Sequence, residues 1–142
     1  MNFNKYVQDA EEFINEVAIE LGHPNDKPRA AKVLRSVLHV FRNRITPAES
    51  LQLIAQLPML IKAIYVNGWK IGNGNYHESR NIGDFIEAFR EADSQQAYIS
   101  DYEAKEAIQA VFRVLKRHVS QGEIFDIIAV LPAEMKSLLA MA

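Results

Sequence analysis

Apolar residues recur at three- and four-residue steps through most of the chain, the spacing that paints one face of an α-helix. Tyr6, Ala10, Phe13, Ile14, Val17, Ala18 and Leu21 make the first such face, and Gly22 follows where a helix would stop. Ala30, Val33, Leu34, Val37, Leu38, Phe41 and Ile45 make the second, with Asp26 placed as its N-cap and Pro28 in its first turn. Thr46-Pro47-Ala48-Glu49 reads as a capping box that opens a third helix through Leu51, Ile54, Ala55 and Leu57. Pro58 cannot extend that helix but can start a fourth through Ile61, Ile64 and Tyr65, so a sharp bend is expected at Leu57-Pro58.

The pattern then returns. A shift of 74 residues lays Val37 on Val111, Val40 on Val114, Ile54-Ala55 on Ile128-Ala129, Leu57-Pro58 on Leu131-Pro132 and Lys62 on Lys136. Ser120 and Glu123 take the places of Thr46 and Glu49, and Ser100 with Glu103 forms a capping box where Asp26 stood. Phe85-Ile86 and Phe89 match Phe13-Ile14 and Val17 after a two-residue adjustment. Short helices with wide apolar faces cannot cover themselves, so the two copies are expected to share one core. The expected architecture is a single all-α domain over 1–142, a bundle of about eight helices. Pseudo-repeat one spans 3–66, a Gly/Asn-rich loop or small hairpin 67–81, and pseudo-repeat two 82–142.

The string Val40-Phe41-Arg42-Asn43-Arg44-Ile45-Thr46-Pro47-Ala48-Glu49, with Ala55-Gln56-Leu57-Pro58 and Tyr65-Val66-Asn67-Gly68-Trp69, resembles a bacterial domain-of-unknown-function family, number 2267. The resemblance covers nearly the whole chain. It implies an all-helical bundle with globin-like helix crossings, and it carries over no catalytic residues. The second copy departs from the pattern by lacking the Gly-Trp element.

Composition narrows the function classes. With 142 residues, 49% apolar and 24% charged, the chain can bury a core without a disulfide or a structural metal. It has no cysteine, which excludes thiol catalysis and thiolate metal sites and suits a reducing cytoplasm, the expected location. The first residues turn acidic at Asp9, Glu11 and Glu12, unlike a signal peptide, and Met59 to Val66 is far short of the ~20 apolar residues of a membrane span. A net charge of -2 gives no global attraction to polyanions.

Local charge is less even. Between Lys27 and Ala48 there are six cations and no acid, and Lys32, Arg35, His39 and Arg42 fall on the stripe opposite Val33 and Val37, with Arg44 just beyond. Such a stripe could track phosphates or an acidic protein. The plainer expectation is internal pairing with the acids of the first helix, Asp9, Glu11, Glu12, Glu16 and Glu20. Arg113, Lys116, Arg117 and His118 echo the stripe in the second copy. The glycine-rich connector offers Trp69, Tyr76 and His77 as a loop surface, but lacks the strand, helix and Lys-Ser/Thr pair of a phosphate loop.

Catalytic and metal motifs are absent. Glu20 and His23 have Glu-x-x-His spacing, but a di-iron bundle needs two such pairs plus two more glutamates, and Gly22 interrupts the helix there. His39 on a polar face is poorly placed for haem. Ser36 and Ser50 sit in no nucleophile elbow, and Glu11 and Glu12 point apart around their helix. No metal, cofactor or catalytic residue is therefore assigned. Met135, Leu138, Leu139 and Met141 form an apolar stripe that closes the second copy's core or reaches a partner. The leading reading is a non-enzymatic helical module that binds a protein partner or a second copy of itself. The alternatives are nucleic-acid binding through Lys32, Arg35, His39, Arg42 and Arg44, and a small-ligand carrier or enzyme without a recognisable motif.

Overall fold

Helix starts in this chain coincide with short polar side chains that take the first orphan amides. Asn2 accepts from the Lys5 amide and opens α1 (Phe3–Glu20), and Asp26 accepts from the Arg29 amide and opens α2 (Lys27–Arg42). Thr46 accepts from Glu49 N at 3.2 Å while the Glu49 carboxylate accepts from Thr46 N at 2.8 Å, the expected reciprocal box, and α3 follows (Pro47–Ile54). Pro58 then turns the chain into α4 (Met59–Val66). Asn81 caps α5 (Ile82–Glu91), a 3-10 turn covers Ser94–Gln96, and Ser100 caps α6 (Asp101–His118). The last two helices are α7 (Gln121–Ala129) and α8 (Ala133–Ala140). This computed structural model describes residues 2–71, 81–129, 131 and 133–142, and everything structural below refers to them. Among the described residues the fold is all-α, with eight α-helices and no strand. No described helix is long and apolar enough to cross a membrane.

Two helix ends use glycine where the backbone demands it. Gly22 has φ 82°, its amide reaches Ile19 O and the His23 amide reaches Ala18 O, which closes α1 in a Schellman arrangement. Gly68, φ 69°, turns the chain beyond α4.

The core draws on both halves of the sequence. Phe13, Phe41 and Tyr65 are buried together with Phe85, Phe89, Phe112 and Leu138, and the rings of Phe41 and Phe112 meet edge to face at 5.1 Å. Helix α2 packs on α1, α4, α5 and α6, while α6 packs on α1, α2, α5 and α8. The helices α2, α3 and α4 begin 74 positions before α6, α7 and α8 respectively. Met135, Leu138 and Leu139 lie in the core, and Met141 is exposed.

The caps of the second half differ from the expected boxes. At Ser100 the amide of Glu103 is taken up at 3.0 Å, but the Glu103 carboxylate meets the Ser100 hydroxyl rather than its backbone. At Ser120 the Glu123 amide is 3.3 Å from the hydroxyl, and the Ser120 amide donates to Gln56 Oε1 at 2.6 Å, so a residue just after α3 does what Glu49 does within its own box. Thr46→Ala should therefore cost about 1 kcal/mol and Ser120→Ala about half that, read from urea denaturation midpoints. Equal losses at the two sites would contradict this difference between the caps.

Candidate functional site

The basic stripe of α2 divides along its length. Lys32 and Arg35, in the middle of the helix, are exposed and form no ion pair among the described residues. The expectation that His39 and Arg42 share that outward face, with Arg44 just beyond, needs correction, because α4 crosses the C-terminal half of the helix and Arg44 turns inward beside Phe85. His39 is half-buried with Nε2 at 2.6 Å from Ile64 O, so that nitrogen carries the proton and donates it. Arg42 is 9% exposed, and its Nη1 donates to Tyr65 O at 2.6 Å and Asn67 O at 2.8 Å. Arg44, also buried, donates from Nη1 to Val40 O at 2.9 Å, and its guanidinium lies 5.6 Å from the Phe85 ring centre.

Three carbonyls at the end of α4 thus receive hydrogen from α2 side chains, and the Arg42 cation stands where the helix dipole favours it. Beneath them Ser50 and Tyr65 share a buried hydrogen bond of 2.6 Å between hydroxyls. Burial pushes the Tyr65 phenol far above its ordinary value of 10.0. Trp69 is half-buried and meets the Tyr65 ring edge to face at 5.7 Å, so it packs on this corner of the bundle. Tyr76 and His77, the other two loop candidates, lie outside the described residues.

The acids of α1 pair elsewhere than expected. Glu20 accepts from Arg113 Nε at 2.8 Å and from Arg117, while Glu16 meets Arg117 at 3.4 Å and His118 Nε2 at 2.6 Å. The compensating helix is α6, not α2. The Arg117 hydrogen bond, with further help from Arg113, holds the Glu20 carboxyl below its ordinary 4.5. Glu20 is thereby committed to two arginines rather than to a site with His23. Among the described residues, no group of three histidines, aspartates or glutamates is placed to share a metal ion.

The α2–α4 corner and the α1–α6 ion pairs fall within residues 10–138, which match the family model described as an uncharacterized conserved protein, DUF2267. The chain belongs to that family. The search of curated proteins gives no match. In this DUF2267 chain, among the residues that carry the family resemblance, Arg42 fastens α2 to the end of α4, Thr46 with Glu49 opens α3, and Trp69 packs on Tyr65.

Sequence reasoning missed the Ser50–Tyr65 pair, the Gln56 cap and Gln96, which is 5% exposed and donates to Phe89 O at 2.6 Å. Ser50 stands one turn into α3 on the side of Leu53, and a small polar residue in an apolar stripe is the signal that could have marked it.

The corner should be visible in the pH dependence of stability. Burial, with Arg42 and Arg35 nearby, lowers the His39 pKa from 6.5 against the smaller opposite effect of its bond to Ile64. The unfolded ring then takes up a proton at a pH where the folded ring does not. The stability His39 contributes is complete above 6.5 and is lost as pH falls through the lower folded value. His39→Gln keeps an N–H donor for Ile64 and should flatten the loss of denaturation midpoint that begins as pH falls below 6.5, while leaving the later loss from Glu20 below 4.5 in place. An unchanged profile in the variant would contradict a neutral, buried His39.

Proposed function

We propose that this chain is a non-enzymatic protein-interaction module whose contact face centres on α4. The observation that carries the reading is that α4 is apolar on both sides. It buries Ile61 and Tyr65, yet Met59, Leu60, Ala63 and Val66 remain exposed, with Met59, Ala63 and Val66 in one stripe at i, i+4 and i+7. Lys62, half-buried, is the one charged residue of α4, and an apolar stripe left open on a surface helix marks a place for a partner. The His39 and Arg42 bonds fix the end of α4, so the stripe is held rigid before any partner arrives.

The basic face supports nucleic-acid binding less well. With His39, Arg42 and Arg44 turned inward, Lys27, Lys32 and Arg35 are left as exposed cations on α2, fewer than the roughly six to ten phosphate contacts of a typical site. The test compares two double variants, Met59→Glu with Val66→Glu and Lys32→Glu with Arg35→Glu, after circular dichroism shows both folded. Sedimentation velocity reads self-association, and affinity capture with and without nuclease reads other partners. Loss of a protein partner or of self-association only in the α4 variant supports the reading. Loss only in the α2 variant, or no association by the wild-type chain, overturns it.

A further inference from the structure

The apolar face of α1 runs on beyond the neighbours that cover it. Phe3, Val7, Ala10 and Ile14 follow one another at four- and three-residue steps on one side of the helix. Ala10 is buried and Ile14 packs on the core, yet Val7 is 46% exposed and Phe3 71%. The first two turns of α1 therefore present a core-type face to solvent, and a face of that kind marks a place for something else to cover it.

This open end of α1 stands beside the open stripe of α4. Residues 21–26 join α1 to α2 and the two helices pack along each other, so they run antiparallel and the start of α1 meets the end of α2. There Arg42 holds the carbonyls of Tyr65 and Asn67, and α4 itself packs on α1. Phe3 and Val7 thus share one end of the bundle with Val66, and Met59 and Leu60 continue the exposed apolar surface along α4. With side chains of roughly 150–200 Å² and exposures of 38% to 71%, these five leave on the order of 400 Å² of apolar surface uncovered.

A dimer interface of ordinary size takes about 800 Å² from each partner, a little over half of it apolar, so this surface is the size that one side of a dimer needs. It also combines a projecting helix end with an apolar seat of the same chemistry. A two-fold rotation sets each projecting end on the other copy's seat and covers both in one closed contact. The net charge of -2 on each copy adds little repulsion. We infer that the occupant of this surface is a second copy of the chain, with Phe3 and Val7 of each copy lying on the α4 stripe of the other. This dimer takes the α4 contact face proposed above as given and extends it to the start of α1.

Sedimentation velocity over a concentration series compares the full chain with two double variants, Phe3→Glu with Val7→Glu and Met59→Glu with Val66→Glu, each shown folded by circular dichroism. The wild-type chain should dimerise, and each double variant should weaken the dimer about a hundredfold, because every substitution enters the contact twice. The chain has no cysteine, so introduced ones report the pairing directly. Under oxidation, Phe3→Cys mixed with Ala63→Cys should give far more mixed disulfide than Ile19→Cys, exposed elsewhere on α1, mixed with Ala63→Cys. A mixed disulfide no more abundant than in that control, or a wild-type chain monomeric at every concentration, overturns the dimer, while another partner captured through α4 would leave the reading of that helix standing. A dimer weakened by the α4 pair but not by the α1 pair has the same meaning. A dimer that survives Met59→Glu with Val66→Glu overturns this contact, and the α4 reading with it unless that pair loses another partner.

Discussion

Arg42→Leu is expected to destabilise the chain by about 3 kcal/mol, the largest single effect outside the apolar core. The guanidinium makes two charge-assisted bonds, to Tyr65 O and Asn67 O, at a position almost closed to water. Leucine fills part of the volume but leaves the carbonyls at the end of α4 without their donor. Asn67 is exposed and water can replace part of the loss there, whereas Tyr65 lies in the core, which is why the figure is below the sum of two such bonds. Arg42→Lys keeps the charge but cannot hold both carbonyls in the same fork, so about half the loss should remain. Urea denaturation of the three chains at pH 7 checks this. A leucine variant within about 0.5 kcal/mol of wild type would show that the α2–α4 corner does not depend on Arg42.

The second large effect concerns a pair of hydroxyls. Tyr65→Phe strands the Ser50 hydroxyl, and Ser50→Ala strands that of Tyr65, both in surroundings closed to water. Each single change should cost about 1.5–2 kcal/mol, since the group left behind is buried and unsatisfied. The double change removes both partners and should cost less than the two singles together, by about 1 kcal/mol or more. Additive losses in this cycle would mean that the hydroxyls do not depend on each other.

The outline of the fold was legible because it rests on local signals. Phe13 and Val17, Val33 and Val37, Thr46 with Glu49, and Pro58 each announce a face, a start or a break within a few residues, and helices stand there. The fate of the basic stripe was not legible for a geometric reason. Helical spacing gives the angle at which Lys32, Arg35, His39 and Arg42 leave the helix, but not how far along its axis a neighbour extends. Helix α4 covers the end that carries His39 and Arg42 and leaves Lys32 and Arg35 open. The partner of the α1 acids was hidden for a related reason. Two basic helices flank α1, and charge counting cannot choose between them, whereas Glu16 and Glu20 lie one turn apart on the side that meets Arg113, Arg117 and His118 of α6. The bond from Gln96 to Phe89 O was invisible because it arises only when the 3-10 turn folds back over Phe89.

The pairing of α1 with α6 also orders events during synthesis. The side-chain hydrogen bonds between them join residues 93 to 102 positions apart. Phe13, which rests against the His118 ring at 4.8 Å, can be sealed only after that far end of α6 has left the ribosome. Until then α1 carries an apolar face that α2 and α4 cover only in part, so the interval between translating α1 and translating α6 is when this chain most needs a chaperone's protection from aggregation.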